Sequence, residues 1–73
     1  MKDEDVEWFD VKLREIQLRA VVMNLEAVID RLENAQEWHT EALGAGSHNI
    51  QIALENARTA LDNVTDEIQE LSA

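Results

Sequence analysis

The chain contains no proline, and both of its glycines fall in one tetrapeptide, Gly44-Ala45-Gly46-Ser47. Proline is the strongest breaker of a helix interior, and glycine clusters mark turns. A chain punctuated only once is therefore expected to form two helices and one connection. The spacing predicts a first helix over residues 4–43, a loop over 44–48 and a second helix over 49–71. Gly44 is the natural C′ residue, because it tolerates positive φ. Ser47 or Asn49 is expected to cap the second helix, and Asp3 or Asp5 the first, whose acidic start suits the positive end of the dipole. The expected fold class is all-α: a long helical hairpin forming one domain.

Apolar spacing assigns a buried face to each helix. In the second, Ile50, Leu54, Ala57, Leu61, Val64, Ile68 and Leu71 alternate at +4 and +3, the seam of a coiled coil. The first helix carries two stripes. One runs Val11, Leu18, Val22, Leu25, Ile29 and Leu32, widened by Val21, Val28, Ala35 and Ala42. The other runs Val6, Phe9, Leu13, Ile16, Ala20, Met23 and Ala27, on nearly the opposite side. Two polar columns separate them: Lys12, Arg19, Glu26, Glu33 and Asp10, Gln17, Asn24, Arg31. A helix apolar on two faces needs cover on both.

Length leads to the same conclusion. At 1.5 Å per residue the first helix spans roughly 60 Å and the second roughly 35 Å. Folded back, residue 71 is expected beside about residue 21, leaving Trp8, Phe9, Val11, Leu13, Ile16 and Leu18 without cover. Exposed apolar patches of that size mark protein contacts. The expectation is an antiparallel homodimeric helical bundle whose two-fold axis passes near residue 21, in the wholly apolar run Ala20-Val21-Val22-Met23. The expected interface residues are Trp8, Phe9, Leu13, Ile16, Ala20, Val21, Val22 and Met23. In that arrangement Trp8 faces Ala35 or Trp38 of the other copy. A break near residue 20, giving a three-helix monomer, has no helix breaker to cause it.

Charge bears on partners. Formal net charge is −10, which disfavours direct binding to nucleic acid or to an anionic membrane. It is −4 over residues 1–10, +2 over 11–20, −4 over 21–48 and −4 over 49–73. The single basic segment, with Lys12, Arg14 and Arg19, thus lies in the overhang. Asp66, Glu67 and Glu70 have the wrong sign for a helix C-terminus, and a partner cation would relieve them. Met1-Lys2 leads into Asp3, Glu4 and Asp5 rather than into an apolar stretch, so no secretory signal is read there. No apolar run approaches the ~20 residues of a membrane span. With no cysteine, a soluble cytoplasmic protein is expected, stapled by association rather than by disulfides or thiolate zinc.

Catalytic chemistry has little to work with. His39 and His48 are the only histidines, near Glu37 and Glu41, and no spacing supplies three converging metal ligands. Acidic pairs such as Asp30/Glu33 and Glu67/Glu70 are scattered over distant levels. They do not form the facing Glu-x-x-Glu elements of a helical magnesium-dependent hydrolase, and a solvated acidic face accounts for them. Ser47 and Ser72 lack triad partners, and Gly44-Ala45-Gly46 lacks the lysine of a phosphate loop. No enzyme, cofactor or metal is expected. The sequence points to a small acidic assembly, adaptor or regulatory module acting through helix–helix contact. The alternative is a nucleic-acid mimic, of the kind phage-encoded inhibitors provide, whose acidic surface occupies the basic groove of a nucleic-acid-binding protein.

Overall fold

The computed structural model describes the backbone of residues 3–72 and the side chains of residues 7–71. Within them the chain is two helices, α1 (Asp3–Leu43) and α2 (His48–Ser72), packed against each other as a hairpin. The expected caps Asp3 and Asp5 lie outside the described side chains. The molecule is a rod with extents of 62 × 15 × 13 Å and a radius of gyration of 17.6 Å. A compact chain of this length would have a radius of about 11 Å. With only two helices, each can bury just the face it turns to the other.

The turn is built from local chemistry. Gly44 takes φ = 78°, a left-handed conformation that costs other residues more than glycine. Its N–H donates to the carbonyl of Thr40 at 2.8 Å, the αL closure of a helix C-terminus. Ser47 caps α2: its Oγ accepts from the N–H of Ile50 at 3.3 Å, and its carbonyl accepts from the N–H of Gln51 at 3.1 Å. Two α1 side chains hold the loop from below. Gln36 donates from Nε2 to the carbonyl of Ser47 at 3.0 Å and accepts at Oε1 from the N–H of Ser47 at 2.8 Å. His39 donates from Nδ1 to the carbonyl of Ala45 at 2.7 Å.

The α1 face turned to α2 is Leu18, Val22, Leu25, Ile29, Leu32, Gln36 and His39, all buried or half-buried. It meets the whole expected stripe of α2, from Ile50 to Leu71. Ile29, Leu54, Ala57 and Ile68 are the most enclosed, with Leu54 only 4% exposed. Leu32, Ile50 and Leu61 pack around Ile29, Leu54 and Ala57. Burying a leucine of this kind contributes about 1.5–3 kcal/mol. Val21, Val28, Ala35 and Ala42, expected to widen the α1 face, stay exposed. They sit at its edge, where a single partner helix does not reach. Arg58 reaches across the pair to Glu33 at 3.3 Å, with both side chains about half exposed. Such a pair is worth roughly 0–1 kcal/mol.

The register differs from the expected one by a few residues. Leu71 lies at the level of Leu18, with Arg14, Gln17, Glu67 and Glu70 around the same cleft. Ile68 lies at the level of Val22. The reason is the loop. Ser47 is bonded to Gln36 rather than to the last turn of α1, so α2 starts farther down α1. Leu18, expected to be uncovered, is therefore half-buried beside Leu71, and the overhang ends at about residue 17.

Candidate interaction surface

The residues with the most to bind lie on the outer face of α1, opposite α2. Phe9, Leu13, Ile16, Ala20, Met23 and Ala27 follow one another at +4 and +3, and all are exposed. Phe9 is 60%, Ile16 64% and Met23 71% exposed. The helix positions them by periodicity alone, because residues three and four apart share a face. Val6, expected at the head of this stripe, has no described side chain. Trp8 is exposed on the neighbouring face, with Lys12 Nζ 5.9 Å from its ring centroid.

The expected interface residues thus divide. Phe9, Leu13, Ile16, Ala20 and Met23 stand together on the outer face. Trp8 and Val21 are exposed to either side of it. Val22 does not belong to it: it is half-buried in the hairpin seam, across from Ile68. The helix turns about 100° per residue, so a run of four apolar residues cannot all face one partner, and Val22 faces α2. Trp38 is exposed beyond the C-terminal end of the outer stripe.

Polar side chains border this face. On one side Lys12 and Arg19 both approach Glu15, at 3.5 and 2.9 Å. The Arg19 hydrogen bond, followed by the charge of Lys12, holds the Glu15 carboxyl below the usual carboxylate range. On the other side stand Asp10, Gln17, Asn24 and Arg31, all exposed. Gln36 and His39 are the residues whose role the apolar pattern conceals. They continue the seam at +4 and +3 beyond Leu32, and polar residues at seam positions beside a loop were the available signal.

Total exposed area gives the surface a scale. The chain exposes 5776 Å², where a compact monomer of its mass exposes about 4,600 Å². The excess of about 1,200 Å² exceeds the ~800 Å² that each partner buries in a standard interface.

Among the described residues, no group of three or more His, Cys, Asp or Glu is placed to hold a metal ion. Nor is any helix long and apolar enough to cross a membrane. His39 is engaged with the loop, and His48 opens α2 on the surface. Comparison with protein-family models, curated proteins and solved structures gives no match.

Proposed function

We propose that this protein is a non-enzymatic helical association module, and that it assembles with a second copy of itself as an antiparallel bundle. The observation that carries the reading is the second apolar stripe of α1, exposed from Phe9 to Ala27 on the face that α2 leaves uncovered. Water around four large apolar side chains, Phe9, Leu13, Ile16 and Met23, on one face is costly, and a helix laid along them removes that cost. Antiparallel assembly suits the charges: the one basic segment, residues 11–20, then lies beside the acidic residues 21–48 of the other copy. It also suits the shape, since each overhang finds cover along the partner's hairpin.

The test is light scattering on three variants at one concentration. Ile16→Asp and Met23→Asp, on the outer face, should reduce the mass to that of one chain. Asn63→Asp, on the exposed side of α2, should leave it at two. Equal dimeric mass in all three variants would remove the outer face from the interface.

A further inference from the structure

The two polar columns flanking the outer stripe carry information beyond solubility. On one flank, seven residues apart, stand Lys12, Arg19, Glu26 and Glu33; on the other stand Asp10, Gln17, Asn24 and Arg31. All eight are exposed. Read from either end, each column is its own complement. The first is two cations followed by two anions. The second is an anion, two amides and a cation. In a pair of antiparallel helices, residues on each flank meet their counterparts on the same flank of the other helix, and charges there set orientation and partner choice.

We infer that the outer face of α1 is a self-complementary antiparallel interface, with its two-fold axis between Val21 and Val22. This rests on the reading that the partner is a second copy, and it specifies the face and the register. Lys12 meets Glu33 of the second copy, and Arg19 meets its Glu26. On the other flank Asp10 meets Arg31 of the second copy, and Gln17 meets its Asn24. One axis satisfies both flanks at once. The pairs of the first flank centre just after Val22 and those of the second just before Val21. Those are the opposite offsets that the two sides of one antiparallel helix pair have. The same axis sets Ile16 against Ala27 and Met23 against Ala20, a large side chain onto a small one in each central layer. Such alternation lets two helices approach closely without voids. The next layers set Leu13 beside Asp30 and Phe9 beside Asn34, apolar side chains against polar ones, so the apolar contact is concentrated in the central layers.

The isolated chain already holds these charges ready. Arg19 and Lys12 lean on Glu15, and Glu33 accepts from Arg58. Docking adds a second partner to Lys12, Arg19 and Glu33, and gives Glu26, Asp10 and Arg31 theirs at the exposed flanks of the pair. A parallel pair would do less, matching Lys12 with Gln17, Arg19 with Asn24 and only Glu26 with Arg31.

The experiment is a charge exchange followed by sedimentation equilibrium, with circular dichroism confirming that each variant stays helical. The chain without substitutions is run first, then K12E/R19E, then E26K/E33K. Each double variant sets like charges against each other on that flank and should self-associate about ten-fold or more weakly. Mixed one to one, the two should form a heterodimer as strong as the unsubstituted dimer, since all four pairs are restored. The quadruple variant K12E/R19E/E26K/E33K should again form a homodimer, although it lacks the native Glu33 contact to Arg58. If both double variants dimerise like the unsubstituted chain, or if mixing restores nothing, the register is wrong while the association reading stands. An unsubstituted chain that remains a monomer overturns both.

Discussion

The side-chain amide of Gln36 grips the backbone of Ser47 on both sides, donating to its carbonyl at 3.0 Å and accepting from its N–H at 2.8 Å. This is a strand-like pair of hydrogen bonds made between a helix side chain and a loop. Gln36→Ala leaves the N–H of Ser47 without this partner and its carbonyl with the N–H of Gln51 alone, at the point where α2 begins. It should lower stability by about 1–3 kcal/mol, read as a reduced melting temperature by circular dichroism. Gln36→Glu keeps the acceptor and loses the donor, so its melting temperature should fall between the two.

Gly46 is coupled to the same contact. A Cβ added there would meet Gln36 Nε2 at 2.8 Å, closer than the amide can stay. Gly46→Ala should therefore destabilise the unsubstituted chain and have much less effect in the Gln36→Ala background. A double-mutant cycle on melting curves checks this non-additivity. Gly44 behaves differently. Nothing lies within 4 Å of its missing Cβ, and the constraint is φ alone. Gly44→Ala should cost about 1 kcal/mol, and Gly44→Asn less, because asparagine tolerates the left-handed region better.

The two apolar faces of α1 should respond differently to the same substitution. Val22→Asp places a carboxylate in the seam beside Ile68 and should cost several kcal/mol of hairpin stability. Ile16→Asp faces outward and should reduce association while leaving a helical monomer. Comparing helical content and mass for the two variants separates the faces. Equal loss of helix in both would show that the outer stripe supports the hairpin itself.

The Lys12–Glu15–Arg19 cluster gives a pH signature at the open end of the rod. The Glu15 pKa is lowered in the folded chain, first by the Arg19 hydrogen bond and then by the Lys12 charge. The stabilisation from this cluster is therefore present above the ordinary carboxylate pKa and is lost as pH falls through the lowered one. Glu15→Gln should abolish that part of the pH dependence. In a side-chain NMR titration, Arg19→Gln should raise the Glu15 midpoint more than Lys12→Gln does.

Most of the fold is legible in the residues because each element rests on a local rule. The missing prolines, the paired glycines and the +4/+3 spacing from Ile50 to Leu71 place both helices and the face α2 buries. The register is less legible. It depends on Gln36 and His39, whose bonds to Ser47 and Ala45 draw the loop down along α1, and hydropathy patterning does not register polar groups at seam positions. Val22 illustrates the same limit on the candidate surface. Its apolar neighbours Val21 and Met23 point elsewhere, and a run of apolar residues does not reveal which one an intrachain partner takes. The outer stripe from Phe9 to Met23 stands out because a single partner helix covers one side of α1, and the second apolar stripe lies on the opposite side.

The most direct test of the account is an isotope-filtered NMR experiment on an equal mixture of labelled and unlabelled chain at millimolar concentration. Ile16 and Ala27 lie on one helix about 16 Å apart along its axis, too far for a contact within one chain. Antiparallel docking through the outer face gives intermolecular cross-peaks between Ile16 and Ala27, together with others from Leu13 and Met23. Intermolecular peaks confined to other surfaces, or none in a sample that sediments at 8.3 kDa, would contradict it.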